Sequence, residues 1–406
     1  MLKKIPADRL RPGMYVHELC GDWMSHPFWL SSFALKRDSD VRRILDAGIR
    51  EVYIDTARGL DDAEGRRAED VKQDVQKEME AAIRSAEEPV IQVSVGEEIR
   101  RARQVHAQAN KVVRDMMHDV RLGKAVSLEN VEPVVEAVTD SILRNSNALL
   151  GLIGIKNKDD YTFQHSVSVC TLMITFGRSL GLDGEVLRQA GIGGLLHDIG
   201  KMKVPDAVLN KPGRLTDEEF VLIKQHPGDG HEILLGTGGV GDIPLDITRH
   251  HHERLDGGGY PDRLQGEQIS DMARMAAIVD VYDAITAERC YHRGMPATEA
   301  LRKMWEWSKD HFDQKLLSAF MRCVGIYPVG SLVRLESGRL GVVIAQSPVD
   351  SMKPTIRTFF NTRSNAYVPT EVVDMASPRC GDRIVSDESP GRWKVDHLRF
   401  LDVETA

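Results

Sequence analysis

Residues 192–201 read Ile192-Gly193-Gly194-Leu195-Leu196-His197-Asp198-Ile199-Gly200-Lys201, an apolar run that leads straight into a histidine–aspartate pair. Burying such a pair without a partner is costly, about 2 to 7 kcal/mol for even a neutral polar group. A divalent cation compensates for that cost. Neutral imidazole and carboxylate are both good ligands for first-row metals, and adjacent ligands can face one cation or bridge two. Lys201, three residues beyond Asp198, sets an ammonium where it could meet a phosphate.

Working outward, seven of the 14 histidines fall between His165 and His252: His165, His197, His226, His231, His250, His251 and His252. The string His251-His252-Glu253-Arg254-Leu255-Asp256-Gly257-Gly258-Gly259-Tyr260-Pro261 offers two consecutive imidazoles that can point to different metals. Its glycine run then lets the backbone turn tightly and approach a ligand. His165, on a predicted helix with Val169 and Leu172, His226 in Lys224-Gln225-His226-Pro227, and Asp280 behind apolar Met275 to Val279 complete the candidate shell. Asp283 competes with Asp280 for that role, and His231, His250 and His292 read as hydrogen-bonded core or surface histidines.

The rest of the chain frames this cluster. Its 406 residues suggest two or three domains, and a hydrophobic fraction of 42% supports an ordinary globular core. No run of about 18 apolar residues offers a spanning helix. Met1-Leu2-Lys3-Lys4-Ile5-Pro6-Ala7-Asp8 meets charge where a signal peptide needs an apolar stretch, so a cytoplasmic protein without a membrane partner is expected. The five cysteines, Cys20, Cys170, Cys290, Cys323 and Cys380, are scattered, which argues against a disulfide framework or a thiolate zinc site. A net charge of −8 argues against broad binding to polymeric nucleic acid. A small anionic substrate stays compatible, because bound cations and a few Lys and Arg can reverse the field locally.

Residues 1–60 read as a small α/β unit, with helix-like Val41 to Ala47, a stop at Gly48 and a strand over Glu51 to Asp55. Residues 61–149 combine a charged linker or solvated helix with two further helices. In the second, Ser127 is the N-cap and Val131, Val134, Val135, Val138 and Ile142 share a face. Residues 150–325 are the most helix-rich; Thr216-Asp217-Glu218-Glu219 has the capping-box pattern, and Pro227 limits that helix and leaves His226 at its C-terminal end. Residues 326–406 read as a β-rich extension, with two strands around the Ser337-Gly338 turn and another over Thr355 to Phe360. The expected class is mainly α: a helical domain with a small α/β N-terminal domain and a short β-rich C-terminal extension.

Taken in order, these motifs resemble the HD-GYP subgroup of the HD phosphohydrolase superfamily. His197-Asp198 with Ile199-Gly200-Lys201 matches its HD part. Gly259-Tyr260-Pro261, preceded by His251-His252-Glu253 and Asp256-Gly257, matches its GYP part. Tyr161-Thr162-x-x-His165-Ser166 is similar to the family's first helix and Lys224-x-His226-Pro227 to its middle motif, so the resemblance covers residues 150–325. The N-terminal region also looks like the small domain often fused ahead of such proteins. The resemblance implies an all-helical HD-type domain with a centre of divalent metal ions, often iron or manganese. The implied ligands are His165, His197, Asp198, His226, His251, His252 and Asp280, with Asp198 bridging two metals. Where some members carry a glutamate that supports a third metal this chain has Tyr161, so two cations are expected. The family's substrate motif, roughly Arg-Pro-Tyr-Arg/Lys, stands here as Arg289-Cys290-Tyr291-His292; Arg289 and Tyr291 match, and Arg293 is a substitute for the missing basic residue.

The implied activity is hydrolysis of the second messenger cyclic di-GMP to pGpG, GMP or both. As a hypothesis, two cations about 3.5 to 4 Å apart share a hydroxide that attacks phosphorus in line with the departing 3′ oxygen. Lys201 and Arg289 then neutralise charge on the phosphoryl oxygens, and Tyr260 and Tyr291 join them in holding substrate, with Tyr260 against a guanine. His197, Asp198 and Lys201 carry the chemistry in this reading. Two readings from other classes stay open: a receptor or docking protein for GGDEF-domain cyclases that uses the GYP loop, and an HD hydrolase of another nucleotide. Homodimerisation also stays open.

Overall fold

The computed structural model describes residues 1–20, 32–83, 93–153, 161–211, 215–287, 294–308, 310–347, 350, 352–388 and 390–401. The chain opens with β1 (Leu2–Pro6), β2 (Tyr15–Cys20), β3 (Phe33–Ala34), α1 (Asp38–Asp46), β4 (Glu51–Asp55) and β5 (Arg66–Arg67). The strands form an antiparallel sheet in the order β3-β2-β4-β1-β5, with Ile5 opposite Val52. Ile5, Val16, Val52 and Ile54 turn inward and share one apolar cluster with Ile44 of α1. Gly48, at φ +73°, sits just past the end of α1 in the left-handed conformation that glycine adopts without a Cβ penalty.

Three long helices follow: α2 (Ala68–Ile83), α3 (Val95–Arg121) and α4 (Leu128–Ile153). The charged stretch read as a linker or solvated helix folds, over α2, into a helix with one buried stripe. Val71, Val75 and Met79 recur every four residues and join a core that includes Phe176 and Phe320. Ser94 and Glu97 close a capping box at the start of α3. Glu98, fully buried, accepts from Ser141 Oγ at 2.8 Å and from Arg144 Nε at 2.7 Å, which ties α3 to α4.

The helical centre comprises α5 (Tyr161–Ser179), α6 (Gly184–Leu196), a short 3-10 turn (Ile199–Lys203), α7 (Asp206–Leu209), α8 (Asp217–Ile223), α9 (His226–Thr237), α10 (Asp242–His250), α11 (Asp271–Thr286), α12 (Ala297–Trp307) and α13 (Gln314–Val324). The Thr216 hydroxyl accepts from Glu219 N at 3.2 Å while the Glu219 carboxylate accepts from Thr216 N at 2.7 Å, the expected capping box of α8. His226 corrects the sequence reading. It does not end that helix but opens the next, and Pro227 occupies the first turn of α9, where its missing N–H leaves no bond unmade. No helix among the described residues is long and apolar enough to cross a membrane.

The chain finishes with β6 (Leu332–Leu335), β7 (Arg339–Ala345), β8 (Thr355–Asn361), β9 (Ala366–Asp374) and β10 (Ile384–Asp387), an antiparallel sheet in the order β10-β6-β7-β8-β9. Its core, which includes Val333, Val342, Ile356 and Phe359, is separate from that of the helices. At the other end, Arg50 ahead of β4 reaches Asp310 at 2.5 Å and Asp256 at 3.5 Å, and Tyr53 donates to Glu306 at 3.0 Å. The first sheet thus rests on the edge of the helical centre beside the His251–Pro261 segment.

Candidate metal centre

Five segments deliver the site. α5 carries His165 and α11 carries Asp280 and Asp283; both helices are largely buried, so polar groups on them have no water to face. α6 runs apolar to its end and hands over to His197 and Asp198. His226 starts α9, and His251 and His252 follow the last turn of α10. Gly200 lets the 3-10 turn lie against α9: a Cβ there would stand 1.9 Å from His226 O and 2.5 Å from Gly230 N. All eight polar residues are buried, His252 being the most exposed at 8%.

The imidazoles are aimed by what they donate to. His197 Nδ1 donates to Gly194 O at 2.8 Å, His226 Nδ1 to Ile223 O at 2.7 Å, and His251 Nδ1 to Thr248 O at 3.0 Å. His165 Nδ1 donates to Asp283 Oδ2 at 2.6 Å. Carbonyl and carboxylate oxygens only accept, so each Nδ1 holds the proton and each Nε2 presents a lone pair. These lone pairs converge. His165 Nε2 and His197 Nε2 lie 3.2 Å apart, with Asp280 Oδ1 at 2.9 Å from the first. His226 Nε2 and His251 Nε2 also lie 3.2 Å apart. Asp198 stands between the two groups: Oδ2 is 3.4 Å from His197 Nε2 and Oδ1 is 3.3 Å from His226 Nε2.

Acceptors this close repel unless a proton or a cation lies between them. Burial works against charge on His197, but the Asp198 and Asp280 carboxylates outweigh it and hold that imidazole above its ordinary value, so one proton could ease the first pair. The second pair has no such relief. Burial pushes His226 down, and burial with the neighbouring imidazoles pushes His251 and His252 well below the ordinary range. Asp198 stays ionised: burial opposes this, and His197 and Lys201 overcome it. For Asp280 the partner that overcomes burial is His165. Neutral imidazoles and ionised carboxylates are the ligand forms. His252 Nε2 and Asp198 Oδ1 are buried without a hydrogen-bond partner. The donor set therefore fits divalent cations. Three groups bring ligand atoms within 4.8 Å of one another: His165–His197–Asp280, His197–Asp198–His251, and His226–His251–His252.

Comparison with known proteins agrees with this geometry. A family described as an HD domain matches residues 154–316, and a domain of unknown function (DUF3391) matches residues 2–131. A cyclic di-GMP phosphodiesterase of Pseudomonas aeruginosa is 45% identical over 399 residues, 98% of this chain and 95% of that protein. The chain belongs to the HD-GYP-like phosphodiesterases of the HD superfamily. A 3′3′-cGAMP-specific phosphodiesterase of Vibrio cholerae is 36% identical over 44% of this chain and 41% of its own length. A cyclic di-GMP phosphodiesterase of Thermotoga maritima is 29% identical over 57% of this chain and 64% of its own length.

In this HD-GYP-like enzyme the seven residues expected as ligands all come together. Asp283, weighed in the sequence as a rival of Asp280, lies one turn further along α11 and holds His165 while Asp280 faces the centre. Lys201 lies 2.5 Å from Asp198 Oδ2, so its ammonium already has a carboxylate partner. His250 pairs with Asp246 at 2.7 Å and Asp262 at 3.0 Å, outside the cluster, as its hydrogen-bonded reading requires. Arg289, Tyr291, Cys290, His292 and Arg293 lie outside the described residues.

Tyr260 packs beside the centre, its ring 4.8 Å from that of His252. It lines a small pocket, partly open to solvent, together with Lys224, His251, His252, Arg254 and Phe312. Glu253 fixes the loop behind it by accepting from the backbone N–H groups of Asp262, Arg263 and Leu264 at 2.7, 3.0 and 3.0 Å. Gly259 permits the close crossing: a Cβ there would lie 2.5 Å from Arg254 N. The anchoring role of Glu253 and the pocket position of Lys224 had no sequence signal beyond their place in the motifs.

Proposed function

We propose that this chain hydrolyses cyclic di-GMP with two divalent cations, iron or manganese, held by His165, His197 and Asp280 on one side and His226, His251 and His252 on the other. Asp198 is the shared ligand. The observation that carries this reading is the placement of Asp198, one oxygen toward each group of converging lone pairs. The cations, when bound, acidify a water and neutralise charge on a phosphoryl oxygen. The chain's own groups do the rest. Backbone carbonyls and Asp283 fix the imidazole tautomers, and Lys201 balances the buried Asp198. Tyr260 offers an aromatic face at the mouth of the pocket, where a guanine would stack.

The Pseudomonas aeruginosa relative, which matches nearly the whole chain and is named a cyclic di-GMP phosphodiesterase, supports this substrate. Relatives named for 3′3′-cGAMP support cyclic GMP-AMP as a second reading over part of the chain. The test is anaerobic purification with metal analysis, followed by chromatography of the products from cyclic di-GMP and cyclic GMP-AMP side by side. About two equivalents of iron or manganese and release of pGpG or GMP are expected. A metal-replete protein that leaves cyclic di-GMP intact would overturn the proposal.

A further inference from the structure

The catalytic centre accounts for one phosphodiester, but a cyclic dinucleotide carries two within one macrocycle. While one is under attack the other stays charged and close by. Among the described residues, the pocket wall beside His251 and His252 holds two long cationic side chains, Lys224 and Arg254. Arg254 already has a carboxylate partner: its Nη2 lies 2.9 Å from Asp256 Oδ2, which Arg50 also approaches at 3.5 Å, and its Nε, which has no partner, is buried. The carboxylate lining the pocket, Glu253, is occupied by three backbone N–H groups.

Lys224 is different. It follows α8, and its ammonium stands over two aromatic faces, 4.7 Å from the Phe220 ring centre and 5.0 Å from that of Tyr260. It makes no ion pair among the described residues. Aromatic faces attract a cation but do not accept its protons as an oxyanion does. The half-buried ammonium is thus held over the pocket mouth, beside Tyr260, with its hydrogen bonds still to be made.

We propose that Lys224 binds the second phosphodiester of a cyclic dinucleotide, the one not being cleaved, and so selects for substrates with two phosphates. This rests on the reading of the substrate as a cyclic dinucleotide. It also gives Tyr260 a double task, with one part of its face toward the ligand and another supporting the ammonium.

The test compares kcat/KM for cyclic di-GMP with kcat/KM for bis(p-nitrophenyl) phosphate, a diester with a single phosphate, in wild type, Lys224→Met and Lys224→Arg. A charge-assisted hydrogen bond to phosphate is worth roughly ten- to hundredfold in affinity, so Lys224→Met lowers the ratio by that factor, chiefly through KM. Lys224→Arg restores most of it, and the metal content of both variants matches wild type. A ratio that stays within about twofold of wild type, or a loss of metal from Lys224→Met, overturns the proposal; the lysine then only supports the fold of the centre. The two readings separate cleanly. If wild type ignores cyclic di-GMP but cleaves another cyclic dinucleotide with the same dependence on Lys224, the subsite stands and the substrate assignment fails. If it cleaves only the simple diester, both fail.

Discussion

Asp283 offers the sharpest check on how the centre is built, because it shapes a ligand without occupying the place of one. Its carboxylate accepts the Nδ1 proton of His165 at 2.6 Å, fully buried, and so commits Nε2 to the side where Asp280 and His197 converge. Asp283→Asn keeps the shape and can still accept that proton, but removes the negative charge that makes the imidazole a stronger base. Such outer partners of metal-bound histidines typically account for about 10- to 100-fold in metal affinity, which corresponds to roughly 1.4 to 2.7 kcal/mol. The deep burial and short contact favour the upper part of that range. Asp283→Leu, which leaves the Nδ1 proton unpaired, should lose more. Chelator competition measures the affinity directly: the site built on His165, His197 and Asp280 should shift while the other, built on His226, His251 and His252, moves little. Wild-type affinity at both sites in Asp283→Asn would refute the orienting role, and an equal fall at both would show that the two groups of ligands do not act as separate sites.

Other perturbations follow from contacts already described. Gly200→Ala forces a Cβ onto the backbone of His226 and Gly230, which cannot swing aside; a loss of about 3 kcal/mol or more in urea unfolding, with reduced metal content, is expected. Glu98 is held below its ordinary carboxylate value: burial opposes the charge, and the bonds from Arg144 and Ser141 overcome it. A lowered folded-state value adds stability that is complete above the unfolded-state value and is lost as pH falls through the folded one. Glu98→Gln should therefore cost about 2 kcal/mol near neutrality, and the gap to wild type should close as chemical unfolding is followed below about pH 4. Glu253→Gln replaces an acceptor of three backbone N–H groups with a weaker one, so KM for the cyclic dinucleotide should rise roughly tenfold with metal content retained; unchanged KM would show that the loop holds itself.

The parts of this molecule legible in its sequence were those where chemistry forces the residue type. An apolar run ending in His197-Asp198 admits few uses, and the helix signals around Thr216 and Gly48 correspond to local bonds that neighbours make within a few positions. What stayed hidden depends on distance in the chain. The family resemblance names Asp280 as the ligand, but Asp280 and Asp283 look alike as carboxylates on a buried helix, and it is the packing of α5 against α11 that gives one to the centre and the other to His165. The break between α8 and α9 was misplaced because Pro227 forbids a helix interior yet suits a first turn, and sequence alone does not choose between ending and beginning. Val71, Val75 and Met79 were masked by the charges around them, although their spacing marks one face of α2.

Three of the cluster's histidines owe their aim to main-chain carbonyls three positions earlier in the chain: Gly194, Ile223 and Thr248. Every residue type supplies that acceptor. Evolutionary drift at Ile223, which is only partly buried, can therefore change the side chain and leave the imidazole's direction intact, provided the turn keeps its path; Thr248, fully buried, has its packing to satisfy as well. Descendants of such a scaffold could diverge widely in surface and substrate pocket while passing on the same geometry for holding ions.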